Sequence, residues 1–263
     1  MALTDFTGDH QLEVSSSEVE SARFGYRFGR CTVPIMSPAT PTDIARAIEG
    51  HGAEITVIRY PADRVTWFDR LARELNGHVL IHADTLVYWE LHVGSGHRPD
   101  RIEGIGISSP VDVETIGDLT TRAFDGYSNH YSANPLLSAP AAAAGYREWA
   151  MATPLRDVLV LLANGSPAGV ATTNTSSEHI EILLAGLTRE QRGRGLYPHL
   201  LGAVESRAAE GGLAKVVIST QAHNAVVQRA WARYGFLPLA AFTTLHVVRA
   251  TTWGTAQAGT SAT

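Results

Sequence analysis

Apolar residues recur along the chain with two different periods, and each period predicts one type of secondary structure. In the first part of the chain, β-rich runs alternate with stretches whose apolar residues share one helix face. We expect Thr42 to cap the first of these helices. The predicted order is a strand, a helix, a strand, a helix and a pair of strands, at 23–35, 40–52, 54–61, 65–78 and 78–93.

The second part of the chain has clearer boundaries between its elements. A short strand leading into a helix is expected at 111–127, and further helical residues at 146–151. After Pro154, two β-rich runs flank Asn164-Gly165, a dipeptide typical of a tight hairpin turn. The remaining elements alternate between strand and helix, and they are predicted at 178–187, 196–210, 214–220, 224–236 and 237–248.

These two blocks predict an α/β protein with two domains. The segment 94–110 is rich in Gly, Pro and charged residues, so we expect the domain boundary near Gly104 to Pro110. Both ends of the chain are small and polar and cannot bury enough apolar surface to offset their ordering entropy. The expected division is a disordered segment at 1–17, an α/β lobe at 18–106, a second domain at 107–250 and a disordered tail at 251–263.

Composition and charge narrow the classes of function. A formal net charge of -5 over 263 residues argues against a general binder of nucleic acid or anionic membranes. The single cysteine, Cys31, excludes an intramolecular disulfide and fits a reducing compartment. The sequence has neither an apolar secretory segment at its start nor a run of about 20 apolar residues. We therefore expect a cytoplasmic protein, and no metal site.

The most informative stretch is 187–201, where a predicted strand ends in Arg192-Gly193-Arg194-Gly195 before a helix begins. A glycine-rich turn at the start of a helix presents backbone N–H groups and the positive end of the helix dipole to one point. Glycine lets the backbone approach a ligand, and arginine adds charge-assisted bonds to phosphate oxygens. The pattern therefore predicts an anion site.

Residue types exclude two other phosphate-binding loops. No Gly-Lys-Ser/Thr ends the turn, as a nucleoside-triphosphate loop requires, and no G-x-G-x-x-G is present, as a dinucleotide fold requires. The alternative for the isolated tetrapeptide is a surface turn whose arginines are solvated.

The succession of strand, "QRGRGL", amphipathic helix, strand and "NAVVQRAWARYGF" resembles the GNAT superfamily of acyl-CoA-dependent N-acetyltransferases. Its members carry an Arg/Gln-x-x-Gly-x-Gly/Ala loop for the pyrophosphate of coenzyme A and, further along, an Asn-initiated helix that ends in Gly-Phe. The resemblance covers roughly Val111 to Val248. It implies a GNAT fold, with a mixed and partly splayed β-sheet flanked by helices, and a smaller additional N-terminal α/β lobe.

The same resemblance implies acetyl-CoA as the cofactor and indicates which residues bind it. The pyrophosphate would lie on the glycine-rich loop, and the thioester end would lie along the strand before it. The expected cofactor-binding residues are Leu184, Ala185, Gly186, Leu187, Arg192, Gly193, Arg194, Gly195, Leu196, Tyr197, Asn224 and Trp231.

Two residues depart from the family pattern. Tyr197 stands where a further small residue is usual. Trp231 follows Asn224 by seven residues, the place of a tyrosine thought to protonate the departing thiolate. An indole N–H does not release a proton at these pH values. Tyr234 and Tyr197 are the candidate substitutes, and we assign Tyr234 to catalysis, with plain packing as the alternative for each.

Transfer to an amine also requires a route for the excess proton of that amine. Glu181, on the strand before the loop, is the candidate base, directly or through water, and a solvent-facing carboxylate is the alternative. His179 shares its face and is a weaker candidate.

A second resemblance concerns the substrate. The segments "FDGYSNHYSANPLL", "RYP", "DTLVYWEL" and "TTLH" look like the branch that acetylates dTDP-linked amino sugars, of the dTDP-fucosamine type. This resemblance implies that His130 bonds a hydroxyl or relays a proton, so we include it among the catalytic residues. Helix capping or packing is the alternative for each residue of the expected acceptor pocket, which comprises Tyr127, His130, Tyr131 and Asn134.

Other functions stay open at this point. The acceptor could be another small amine, such as an antibiotic or a natural-product intermediate, although "GYSNHYSANP" lacks the carboxylates that a polycationic acceptor would favour. A non-catalytic acyl-CoA sensor is a further alternative, in which Trp231 marks lost catalysis. We expect a small-molecule amine as partner and neither nucleic acid nor membrane, and a homodimer is left open.

Overall fold

The computed structural model describes residues 3–8, 12–109 and 112–260. It divides into two compact units, neither of which is one continuous segment. The first unit comprises residues 1–86, 128–142 and 241–263, and the second comprises residues 87–127 and 143–240. This division differs from the single boundary that the linker composition indicated, because two later segments belong with the N-terminal residues.

The first unit is built on a sheet of mixed strand direction. Its strands are β1 (Ser15–Ser16), β2 (Phe28–Thr32), β3 (Ile55–Pro61), the first part of β4 (His78–His92) and the last part of β10 (Leu237–Arg249). The strand order is β1-β2-β3-β10-β4. Strands β2 and β3 are parallel, and β10 is antiparallel to β3, with Leu245 opposite Ile58. Because β3 is buried along its whole length, it is the central strand of this unit.

The helices of the first unit cover this sheet. They are α1 (Thr4–Thr7), α2 (Glu18–Phe24), α3 (Pro41–His51), α4 (Trp67–Glu74) and α9 (Ala250–Thr260). Helix α3 begins with a capping box, in which Thr40 and Asp43 each accept a hydrogen bond from the backbone N–H of the other. The apolar residues of α3 and α4 pack around Ile58 in one core, and Val57 belongs to another. Alternate residues of β3 therefore pack into different hydrophobic cores.

Three predictions for the first unit differ from the structure. The strand expected at 23–35 is only Phe28–Thr32, because residues up to Phe24 continue helix α2, which Gly25 ends in the left-handed conformation at φ 76°. The strand pair expected at 78–93 is the single strand β4, because no turn residues interrupt it. The cap of α3 is Thr40 and not Thr42.

Both segments that we expected to be disordered contain regular structure. Phe6 is buried and stacks on Phe242, with ring centroids 3.8 Å apart. Residues 250–260 form α9, and Trp253 packs against a core that includes Val248. Apolar contacts thus hold parts of both segments. The expectations for residues 1–2, 9–11, 110–111 and 261–263 fall outside the described part of the chain.

The second unit has the larger number of strands. Besides parts of β4 and β10 it contains β5 (Ile105–Ser108), β6 (Val158–Ala163), β7 (Ser166–Thr175), β8 (His179–Leu187) and β9 (Lys215–Gln221). The strand order is β4-β9-β8-β7-β6-β5, with β8 and β9 parallel. The β6–β7 hairpin is confirmed: Asn164 and Gly165 have φ of 51° and 76°. Positive φ at both positions is what a type I′ turn requires.

Helices flank both faces of this second sheet. They are α5 (Val113–Ala123), the greater part of α6 (Ala139–Met151), α7 (Tyr197–Glu210) and α8 (Ala225–Tyr234). Residues of α7 and α8 share a core with Ile180 and Ile182 of β8, whereas α5 shares another with Leu184. A mixed sheet with flanking helices confirms the predicted fold class. No helix in the described residues is both long and apolar enough to cross a membrane.

We predict that Thr40→Ala destabilises the protein more than Thr42→Ala. The first change removes one half of the capping box, a loss that typically costs about 1 kcal/mol. The second removes only an exposed hydrogen bond from Thr42 to Glu74. Urea unfolding followed by circular dichroism measures both, and equal losses for the two variants would contradict the assignment of the cap.

Candidate active site

The glycine-rich loop leaves β8 through Thr188 and a 3₁₀ turn at Arg189–Gln191. Gly193 and Gly195 follow with φ of 75° and 72°. These left-handed values strain any residue with a Cβ, which explains why glycine occupies both positions. The space beside both Cα atoms is open to 4 Å, so the backbone here is accessible to a ligand.

The loop and the start of α7 supply several hydrogen-bond donors. No described residue accepts a hydrogen bond from the backbone N–H of Gly193, Arg194 or Gly195. Helix α7 begins directly afterwards with Leu196 as its N-cap, and no side chain caps it. The unpaired N–H groups therefore adjoin the positive end of the helix dipole, the arrangement that binds phosphate at helix N-termini.

The two arginines of the loop have different surroundings. The Arg192 guanidinium donates to the carbonyl oxygens of Leu187 and Ala123, at 3.3 and 2.7 Å. It thereby ties the loop to the end of β8 and to the end of α5. Arg194 is exposed and makes no ion pair within the described residues. Of the two, Arg194 is the side chain available to an anion.

Strands β8 and β9 separate next to the loop. Their parallel pairing extends from His179 opposite Lys215 to Ile182 opposite Ile218 and ends there. The register of β8 against β7 shifts at the same level, between Thr172 and Thr173. Beyond this point the β9-facing edge of residues 183–187 pairs with no strand in the described part of the chain. Backbone groups along this edge are available to the amides of an extended ligand.

Tyr197 and Trp231 meet beside this loop. Trp231 is buried, and its Nε1–H donates a hydrogen bond to the Tyr197 hydroxyl at 3.1 Å. Burial is the main cause that raises the pKa of Tyr197, to about 12, and the bond from Trp231 opposes the rise. The phenol therefore stays protonated under all ordinary conditions. Its oxygen already accepts one hydrogen bond and retains its own proton.

Tyr127, one of the residues expected in the acceptor pocket, lies at the carboxyl end of β9 in the second unit. Its hydroxyl donates to the Gln221 side chain and lies 3.1 Å from the Thr220 hydroxyl. It also accepts from the Asn224 side chain at 3.3 Å. The structure thus brings Tyr127 together with Asn224, an expected cofactor residue. Its ring contacts Phe124 and Tyr146 edge to face, both with centroids 5.8 Å away.

Tyr234, the expected general acid, has a different partner. Its hydroxyl donates to the Glu205 carboxylate at 2.7 Å, and this carboxylate also accepts from the backbone N–H groups of Gly94 and Gly96. Burial tends to raise the pKa of Glu205, but these hydrogen bonds lower it overall. Burial and the bond to Glu205 raise the pKa of Tyr234. The hydroxyl of Tyr234 is therefore engaged by Glu205, and its catalytic role stays a prediction.

Glu181 is buried on β8, opposite Asn174 of β7 and Val217 of β9. Only 2% of its surface is exposed, which excludes the alternative of a solvent-facing carboxylate. His179 on the same face lies 3.2 Å from the Ser176 hydroxyl through Nδ1. Burial is the main cause that lowers the pKa of His179. Glu181 is thus the buried carboxylate nearest along β8 to the point where the strands separate.

The other three expected acceptor residues lie together in the first unit. His130 Nδ1 is 2.9 Å from His246 Nε2, and the side chain of Asn134 is 3.3 Å from the other ring nitrogen of His246. Tyr131 donates to Glu20, which is paired with Arg30. These residues form a buried polar network, which we name the His130–His246 network. Tyr127, the fourth expected acceptor residue, belongs to the second unit, and a pocket formed by all four residues stays a prediction.

Sequence reasoning missed the partners of these side chains. Glu205 follows Leu201 by four residues and adjoins Val204, so it lies on the apolar stripe of α7. His246 lies between Leu245 and Val247 in an apolar strand. A charged or polar residue at a buried position of a regular pattern signals a paired group. That signal was present, but it does not name the partner.

The loop, the separating strands and the flanking helices form the arrangement implied by the resemblance to acyl-CoA-dependent acetyltransferases. Residues 122–236 match the model of the acetyltransferase (GNAT) family. This matched segment and the fold support an acyl-CoA-dependent acetyltransferase. Acetyl-CoA is the cofactor of this class. No curated protein matches the sequence.

Solved structures share the fold at low identity. A functionally unknown conserved protein from Staphylococcus epidermidis is 14% identical, with a TM-score of 0.59 over 95% of this chain and 97% of that one. A GCN5-related N-acetyltransferase from Sphaerobacter thermophilus is 16% identical, with a TM-score of 0.52. The match covers 73% of this chain and only 59% of that one. A GCN5-related glucosamine N-acetyltransferase region of a fungal multi-domain β-N-acetylglucosaminidase is 12% identical, with a TM-score of 0.58. The match covers 89% of this chain and 31% of that one.

We predict that the His130–His246 network makes stability depend on pH. Burial is the main cause that lowers the pKa of His246, to about 4, and Arg59 and Arg30 lower it further, whereas Glu20 raises it. Burial also lowers the pKa of His130, with Arg59, His246 and Arg30 adding to the effect. Below the unfolded value of about 6.5, the unfolded chain takes up protons that the folded chain resists. Stability is therefore complete above that pH and falls between about 6.5 and 4.

His246→Gln keeps a polar side chain and removes one titrating group of the pair. We expect its melting temperature to be lower than that of the wild type at neutral pH but to fall less steeply as the solution is acidified. Scanning calorimetry across this pH range measures both slopes. The exposed His223, changed to Gln, is the control and keeps the wild-type slope. Equal slopes for wild type and His246→Gln would disprove the prediction.

Proposed function

We propose that this protein transfers the acetyl group of acetyl-CoA to a primary amine by direct attack within a ternary complex. The observation that carries the proposal is the set of unpaired N–H groups of Gly193, Arg194 and Gly195 at the start of α7. The pyrophosphate of the cofactor accepts these hydrogen bonds, and Arg194 supplies a positive charge beside it. Residues Leu196 and Tyr197 continue this contact into the first turn of the helix.

The pantetheine arm then extends along the edge of β8 that faces the separated end of β9. Its amides pair with backbone groups of Leu184 to Leu187, as a further strand would. Asn224 and Trp231 of the α8 region bound the arm on the β9 side. Because the strand pairing ends at Ile182, this edge is available without breaking any strand pairing of the sheet.

The chemistry requires three events at the thioester. The amine nitrogen attacks the carbonyl carbon, the C–N bond forms, and the C–S bond then breaks with the electron pair going to sulfur. The amine loses one proton, and Glu181 receives it directly or through water. Its burial on β8, beside the residues at which β8 and β9 separate, supports this role.

The acceptor that we propose is the amine of a nucleotide-linked amino sugar. The aromatic rings of Tyr127, Phe124 and Tyr146 support this, since sugars and thymine pack on aromatic faces. The glucosamine N-acetyltransferase region of the fungal enzyme shares the fold, which supports an amino-sugar acceptor. We keep the His130–His246 network as a proposed contributor to the choice of acceptor.

The test is the release of coenzyme A on mixing the protein and acetyl-CoA with a panel of amines that includes dTDP-4-amino sugars. We expect turnover with an amino sugar nucleotide and a fall of kcat by about 10² or more in Glu181→Gln. That variant should bind coenzyme A as tightly as the wild type. Tight binding without turnover on any amine would instead favour a sensor, and turnover only on another amine would reject the sugar acceptor.

Gly195→Asp and Gly195→Asn form a matched pair for the loop itself. Asn and Asp tolerate the left-handed conformation comparably, and both side chains enter open space, so the two variants differ mainly in charge. We expect the aspartate to weaken coenzyme A binding by about tenfold or more relative to the asparagine, because its carboxylate faces the phosphates. Isothermal titration calorimetry measures both affinities. Equal affinities would contradict the proposal that this loop binds the pyrophosphate.

A further inference from the structure

The family position for a thiolate partner on α8 is occupied by a side chain that cannot fill the role in the usual way. Trp231 carries a single N–H and no hydroxyl, and that N–H is already donated to Tyr197. Tyr234, the other candidate on this helix, donates its proton to Glu205. Neither residue of α8 therefore has a proton to offer to a departing sulfur.

Tyr197 is the hydroxyl that remains. It is the first residue of α7, two positions after Gly195, and it packs partly buried against the core that contains Trp231. Its oxygen accepts the indole N–H at 3.1 Å, and no described residue accepts the phenolic proton. The Trp231 bond fixes where the hydroxyl oxygen lies. This leaves one oriented donor between the glycine-rich loop and the middle of α8.

We propose that the Tyr197 hydroxyl donates a hydrogen bond to the sulfur of coenzyme A as the C–S bond breaks, with Trp231 holding it in position. This inference rests on the proposed acetyl transfer. The sulfur takes the electron pair of the broken bond, and the hydrogen bond stabilises its developing negative charge. The phenolic proton stays on oxygen, and the thiolate leaves and is later protonated by water.

The pKa values of the phenol and of a thiol favour a hydrogen bond from Tyr197 to sulfur over full transfer of the phenolic proton. The pKa of Tyr197 lies near 12, whereas a free thiol has a pKa of about 8.5. Transfer of the proton from the phenol to such a thiolate is unfavourable. A hydrogen bond to the charged form, in contrast, stabilises that form. The contribution of Trp231 is to fix the phenol oxygen and to leave its proton as the donor.

The first experiment compares Tyr197→Phe and Tyr234→Phe, which make the same chemical change on neighbouring helices. We expect Tyr197→Phe to lower kcat by about tenfold or more, with KM for acetyl-CoA changed less than about twofold. Tyr234→Phe should lower the melting temperature, because it leaves the buried Glu205 without one donor, and it should lower kcat less than Tyr197→Phe does. An unchanged kcat in Tyr197→Phe, with turnover intact in the wild type, would overturn this inference alone.

A rescue experiment shows whether the loss of kcat comes from the missing hydroxyl or from altered packing of the ring. Trp231→Phe removes the indole N–H and should lower kcat less than Tyr197→Phe does. The double variant Tyr197→Phe with Trp231→Tyr moves a hydroxyl onto α8, at the position where the family usually has one. We expect it to recover most of the lost kcat. If the double variant is no faster than Tyr197→Phe alone, the hydroxyl is not the group that matters.

A second measurement does not depend on knowing the acceptor. Coenzyme A bound to the wild type and to Tyr197→Phe is titrated, and its thiolate is followed by ultraviolet absorbance. We expect the pKa of the bound thiol to be higher in Tyr197→Phe, by roughly half a unit or more. Equal values would overturn the inference while the loop still binds the cofactor. Failure of the wild type to bind coenzyme A would overturn the proposed function, and this inference with it.

Discussion

The site depends on two glycines that hold the backbone in the left-handed region immediately before a helix. Gly193 and Gly195 leave adjacent N–H groups without partners in the described structure, and α7 adds its dipole at the same place. An unpaired backbone donor is costly when buried and useful when a ligand accepts its hydrogen bond. The loop follows directly after β8, whose end is separated from β9, and Tyr197 begins the helix after the loop.

Local signals in the sequence predicted the hairpin turn and most helix starts of the second unit, but not β5, which lies in the segment expected to be a linker. The Asn164-Gly165 turn, the loop and the start of α8 each follow from the conformational preferences of a few neighbouring residues. The first unit was predicted less well, because its organisation depends on pairing between distant segments. Strand β10 lies beside β3, with Leu245 opposite Ile58, and nothing in the local pattern of either strand names the other.

The same limit applies to the candidate site. Sequence pattern indicated the loop, Asn224 and Trp231, since their spacing along the chain carries the information. It did not reveal the hydrogen bond from Tyr234 to Glu205, which lies on another helix. It grouped Tyr127 with His130 because they are close in sequence, whereas their hydrogen-bond partners, Asn224 and His246, belong to different units. Side-chain partners are tertiary facts, and spacing alone does not give them.

The discontinuity of the first unit has a consequence for biosynthesis. Its central strand β3 pairs with residues 242–248, which emerge from the ribosome after the whole of the second unit. Translation therefore delivers the N-terminal strands long before the segment that completes their sheet. During that interval the edge of β3 that later receives β10 lacks its native neighbour, and its unpaired N–H and C=O groups can pair with another chain.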